Sequence, residues 1–165
     1  MSQVYKRRMI RERVLRILYA YEMNREGLQA LVDGNLADIL DKEAKDFAND
    51  LVNKVIIHQK ELDDIMQNRI SNWEMDRIAL IDKLLIRIAL CELIYFVDIP
   101  PKVSINESIE IAKLYSTAAS GKFINGILDA VLNDMKEKGT INKSGRGLMD
   151  ETLTKSKKNK KNDEK

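Results

Sequence analysis

Cysteine and histidine each occur once in the 165 residues, as Cys91 and His58. A single cysteine excludes an internal disulfide and fits a reducing, cytoplasmic setting. One histidine beside one cysteine leaves no Cys/His zinc site, no histidine pair and little room for a nucleophilic triad. The glycines are scattered, so no loop of the kind that cradles phosphate is present. No uncharged stretch approaches the roughly 18 residues of a membrane span, and no apolar signal segment follows the basic start. A soluble protein is expected, with no catalytic residue, metal or cofactor.

Breakers are scarce too. From Asn35 to Ile99 there is neither glycine nor proline, and the two prolines sit together at Pro100 and Pro101. Long unbroken segments rich in Leu, Ile, Lys, Glu and Asp favour helices over strands. Apolar residues at helical spacing predict a first helix over Val4 to Met23, with Ile10, Val14, Ile17, Leu18 and Tyr21 on one face. Gly27 and Gly34 bracket a loop or short turn. A long helix is expected from Glu43 to Ile70, then a junction at Ser71 to Glu74, then a nearly all-apolar central helix from Met75 to Phe96. The prolines end it. Ser104 and Glu107 read as a capping box for a helix over Ile105 to Tyr115. After a small-residue break at Ser116 to Gly121, a last helix spans Lys122 to Lys136. Beyond Gly139 apolar content fades, and a flexible tail is expected over 139–165. No internal repeat is found.

The net charge of +2 hides three regions. Residues 1–16 carry Lys6, Arg7, Arg8, Arg11, Arg13 and Arg16 against Glu12, a local +5. Residues 153–165 sum to +4, and the body between them to −7. Projected at about 100° per residue, Arg8, Arg11, Arg13 and Arg16 cover the side of the first helix away from its apolar stripe. Guanidinium suits phosphate and stacks on unpaired bases, so this face is a candidate nucleic-acid contact. A solvated basic face that balances the acidic body is the competing reading. The Lys155 to Lys161 run reads as a solubilising end more readily than as a phosphate-attracting one.

Other polar residues carry less. His58 has no partner cysteine, and Cys91 reads as a small buried hydrophobe. The acidic pairs Asp63 with Asp64 and Glu107 with Glu110 are commonplace on helices. Arg87 and Glu92 interrupt the central helix where burial is expected; a buried charge demands a partner, and Glu107 is the candidate for Arg87.

Three ordered segments carry a resemblance: Arg87-Ile-Ala-Leu-Cys-Glu-Leu93, Asp98-Ile-Pro-Pro-Lys-Val-Ser-Ile-Asn-Glu-Ser-Ile-Glu-Ile-Ala-Lys113 and Lys122-Phe-Ile-Asn-Gly-Ile-Leu-Asp129. With Arg7-Arg8, Arg11-Glu12 and Ile17-Leu18-Tyr19 before them, they resemble the NusB family of bacterial transcription antitermination factors. The resemblance runs from about Lys6 to Val131. It implies an all-α compact bundle of about six or seven helices in two packed subdomains, over residues 1–138. It also implies binding to boxA-type RNA together with the ribosomal small-subunit protein NusE, within an antitermination complex of RNA polymerase that acts above all in ribosomal RNA operons. By position, Arg7, Arg8 and Arg11, with Lys6 and Arg16 beside them, fall to RNA. Tyr115 and Phe123 match aromatic positions of the RNA-facing surface, while Tyr19 and Asp82 match partner-facing positions. Phe123 also lies on the apolar stripe with Ile127, so core packing competes with base stacking. Met9 interrupts the arginine run seen in some relatives, and Ala118-Ala119-Ser120 replaces a more polar loop. Alternatives are a helical interaction module without antitermination activity and a methyltransferase-associated domain, for which the chain has no catalytic α/β part. Monomer and homodimer are equally compatible with the sequence.

Overall fold

Scarcity of breakers translates into eight α-helices and no strand among residues 3–148, the part described by the computed structural model. Helix α1 (Gln3–Asn24) stops where Arg25 (φ 56°) and Gly27 (φ 67°) take left-handed backbone, which glycine adopts without a Cβ clash. The expected loop after it is instead largely helix. α2 (Leu28–Leu36) packs on α1 and buries Val32 and Leu36, gains that outweigh the cost of about 1 kcal/mol for Gly34 inside a helix.

The single helix expected over 43–70 is two, α3 (Lys42–Ile57) and α4 (Gln59–Gln67), which meet at His58. Asp41 caps α3, its carboxylate accepting from the Glu43 amide at 3.0 Å. The corner is held by a tertiary contact that local propensity does not encode: the His58 ring stacks on Tyr95, 4.1 Å between centres. The expected 75–96 helix is likewise divided. α5 (Asn72–Arg77) opens on a capping box formed by Ser71 and Glu74, and Ile78 and Ala79 lie in extended backbone before α6 (Leu80–Tyr95).

Helix α7 (Pro101–Tyr115) starts four residues earlier than expected. Proline is well suited to the first helical position, where its missing amide leaves nothing unpaired. Ser104 and Glu107 therefore lie inside the helix and form no capping box. α8 (Ala118–Glu137) also starts early, within the small-residue break, because Thr117 Oγ1 accepts from the Ser120 amide at 3.1 Å.

α6 is the shared axis. From the first half of the chain α1, α3 and α4 pack against it, and from the second half α7 and α8, giving two packed subdomains around one helix. Every residue from Leu84 to Leu93 is buried, Arg87 and Glu92 included. No helix among the described residues is long and apolar enough to cross a membrane. Past α8 the chain was expected to leave the body, yet residues 140–148 stay on it and end in a 3-10 turn, Gly145–Leu148. The six lysines of residues 153–165 lie outside the described residues.

Candidate nucleic-acid interface

Two consecutive turns of α1 treat their arginines differently. Arg11, expected on the outward face, is only 2% exposed. Its Nε and Nη2 donate to the two oxygens of Glu92 on α6 at 2.8 and 2.7 Å, and the Ser104 hydroxyl donates to the same carboxylate at 2.9 Å. Burial works against the Arg11 charge, but Glu92 more than offsets it and the guanidinium pKa is raised. A helical projection ranks positions by angle and cannot see a carboxylate waiting on a neighbouring helix.

Arg8 makes a similar fork to Glu107 of α7, at 2.7 and 3.0 Å, with about a third of its side chain still accessible. Glu107 is thus not the partner of Arg87. Arg87 turns instead to Asp63 of α4, donating at 2.6 and 2.9 Å and tying α6 to the first subdomain. Arg13 donates to Asp38 at 2.7 and 3.0 Å, a bond that holds the Asp38 carboxyl below its usual range.

The outward cations are held more loosely. Lys6 sits 3.6 Å from Asp41 and Arg7 3.9 Å from Asp98, with all four side chains substantially exposed. The Arg7 guanidinium lies over the Phe47 ring, 4.6 Å from its centre, a contact that orients the group without neutralising it. One turn beyond Glu12, exposed Arg16 donates to the Tyr115 hydroxyl at 3.0 Å, and that hydroxyl donates to Glu12 at 3.2 Å. Tyr115 is thereby fixed against α1. Tyr19, 39% exposed, follows Arg16 by one turn on the same face. Between α1 and α7 runs a groove of about 630 Å³ lined by Lys6, Arg8, Met9, Glu12, Lys113 and Leu114 among others. It is partly apolar and edged with three cations, beside the carboxylates of Glu12 and Glu110.

Asp82 and Phe123 form a second site. They line a cleft of about 370 Å³ with Ile78, Ala79, Thr117 and Ser120. Asp82 is 6% exposed; its Oδ2 accepts from the Ser120 hydroxyl at 2.8 Å, while its Oδ1 is buried and has no hydrogen-bond partner among the described residues. Phe123, half-buried, joins this cleft and not the α1 groove. Among the described residues no cluster of His, Cys, Asp and Glu is arranged to hold a metal ion.

Three participants were not foreseen. Phe47 gave no signal beyond its place on an apolar stripe, yet it supports Arg7 and also lies under Arg11. Asp98 stood in the proline turn without a role. Glu92 was marked as a buried charge, and its partner Arg11 was identifiable only by asking which cation could reach it.

Comparison with known proteins identifies the family. The NusB family model matches residues 8–133. A transcription antitermination protein NusB from Chloroherpeton thalassium is 48% identical over 149 residues, 89% of this chain and 71% of that protein. Its counterpart from Salinibacter ruber is 45% identical over 147 residues, 87% of this chain and 91% of the relative. Among solved structures, T. maritima NusB superposes with a TM-score of 0.71 at 36% identity, covering 76% of this chain and 89% of that one. A NusB bound to NusE and double-stranded RNA gives 0.71 at 25% identity, covering 79% and 98%. A match over most of its length, in sequence and in the order of its helices, means that the chain belongs to the NusB family.

Proposed function

We propose that this protein is a cytoplasmic, non-enzymatic transcription antitermination factor that binds boxA-type single-stranded RNA together with NusE and supports read-through by RNA polymerase, notably in ribosomal RNA operons. The observation that carries the reading is the cation-edged groove along α1, in a chain whose relatives bear that function in their names. Lys6, Arg7 and Arg16, with the open edge of Arg8, supply the phosphate contacts. Arg11 acts behind them by fixing α1 on α6. The Tyr115 ring, tied to α1 through Glu12 and Arg16, is the stacking surface for a base, since single-stranded RNA is read largely through stacking and base-edge contacts.

The Asp82 cleft is assigned to the protein partner. A buried carboxylate oxygen without a donor is rare, and a basic ribosomal protein would supply one. Phe123 lines the same cleft and is assigned with Asp82, and exposed Tyr19 extends the partner surface along α1.

A titration with boxA-type RNA, with and without NusE, tests both assignments. Four phosphate contacts from α1 correspond to a log affinity against log salt slope of about −2.8. Arg7→Ala with Arg16→Ala weakens RNA binding at least tenfold at low salt. Asp82→Asn leaves binding to RNA alone unchanged and removes most of the gain given by NusE. Equal RNA binding by the wild type and the double arginine variant overturns the α1 site.

A further inference from the structure

After α8 the chain runs back along the carboxyl end of α6 and is fastened there. The Lys143 ammonium donates to the Phe96 carbonyl at 2.7 Å and to the Glu92 carbonyl at 3.0 Å, at the negative end of α6, where the same carbonyls also accept from the Ile99 and Phe96 amides. The Ser144 amide donates to the Val97 carbonyl at 3.0 Å. Gly147 lies so close to that carbonyl that a Cβ would stand 2.1 Å from its oxygen, so only glycine fits. The next residue, Asp98, faces Arg7. Adding covalent lengths from Gly147 through Val97 and Asp98 to Arg7 places the end of this strap within about 15 Å of the Arg7 guanidinium.

Residues 153–165 hold six lysines against Asp163 and Glu164. Lys155 follows Leu148 by seven residues, a reach of at most about 25 Å. A 22-residue helix such as α1 is about 33 Å long. Every one of the six lysines can therefore meet the phosphate path along α1. A tail that serves solubility alone gains nothing from a fixed exit point, whereas the half-buried Lys143 and the tight seat of Gly147 define one. We propose that the strap delivers the lysine-rich tail to the Lys6–Arg7 end of α1, where it adds sequence-independent phosphate contacts to the RNA surface. The partner is the RNA backbone, since lysine is a mobile point charge that reads no base. This inference rests on the α1 groove being the RNA site.

The test compares three full-length proteins, each titrated with a boxA-type RNA and a scrambled strand of equal length across a salt series. They are the wild type, a variant with the six tail lysines changed to Gln, and a variant with about 20 Gly and Ser residues inserted after Leu148, which keeps the charge and loosens the anchor. The Gln variant is expected to lose about 4 from the magnitude of the salt slope, and at least tenfold in affinity at low salt, equally for both RNAs. The spacer variant is expected to fall between the other two. A Gln variant that binds like the wild type overturns the inference and leaves the α1 site standing. One that binds more tightly also overturns it, because the tail then lies on the acidic body and competes with RNA. A spacer variant equal to the wild type refutes the role of the strap. Failure of the wild type to bind either RNA overturns the α1 reading and this inference together.

Discussion

Arg7 and Arg11 stand one helical turn apart on α1, yet one is a surface cation and the other a core residue. Arg11 meets a carboxylate in a two-bond fork, with its own side chain 3% exposed and that of Glu92 1%. Arg7 meets Asp98 at 3.9 Å with both groups open to water, and rests on an aromatic ring. The difference comes from the partners. α6 and α7 present Glu92 and Glu107 to one edge of α1, and any arginine on that edge is drawn inward by charge that cannot otherwise be hydrated. Arg7 and Arg16, beyond the reach of those carboxylates and without a close carboxylate fork of the kind that Asp38 gives Arg13, keep their charge for an external anion. Position within a basic cluster therefore separates scaffold from contact surface, and the number of arginines does not.

The sharpest way to break this comparison is to remove Arg11. Arg11→Met leaves Glu92 buried with only the Ser104 hydroxyl and is expected to cost about 3–5 kcal/mol in urea unfolding. Adding Glu92→Leu is expected to recover most of that loss, because a well-packed apolar pair is often as stable as a buried ion pair. A loss below about 1 kcal/mol for the single change would make Arg11 an ordinary surface cation and erase the distinction.

The complementary change is Lys6→Ala with Arg7→Ala. Exposed pairs at 3.6 and 3.9 Å contribute little, so stability should move by less than about 1 kcal/mol. RNA binding should respond instead, the salt slope losing about 1.4 in magnitude for two contacts removed. Isothermal titration at several salt concentrations beside urea unfolding on the same samples separates the two effects. A variant that unfolds easily and keeps its salt slope would reverse the roles assigned to the two turns.

Much of this was legible before the coordinates. Helical class, the central apolar helix and the basic first helix all follow from periodicity and from missing breakers, and Cys91 is buried as its neighbours implied, its thiol pushed up to about 12 by that burial. What was not legible is where tertiary contacts override local signals. The Ser104 and Glu107 spacing has the form of a capping box, but Pro101 starts the helix earlier and both side chains answer cations and carboxylates from other helices. The genuine box, at Ser71 and Glu74, lay in a segment read as a junction. Arg87 was rightly given a carboxylate partner and wrongly given Glu107, since a sequence does not say whether α4 or α7 faces that side of α6. The strap over 140–148 was missed because its attachments are made by backbone carbonyls, one lysine and one glycine, none of which stands out in a polar run.

That strap offers the smallest and most specific effect. Burial pushes the Lys143 ammonium down from its ordinary 10.5 to about 8, with Glu92 and Asp98 pulling the other way. A folded value below the unfolded one means that the folded protein releases this proton first. Between about pH 8 and 10.5 the unfolded chain holds the extra proton, so unfolding takes one up, and stability attributable to this group rises with pH across that window. The contacts survive the change, because a neutral amine still has two N–H groups for the Glu92 and Phe96 carbonyls. Measured as the difference in urea midpoint between the wild type and Lys143→Met, the wild type is expected to gain on the variant from about pH 8 upward and to run parallel to it below. A difference that stays flat through pH 10 would mean that Lys143 keeps its charge on the α6 carbonyls, and that the tail is anchored by an ion at a helix end and not by a buried amine.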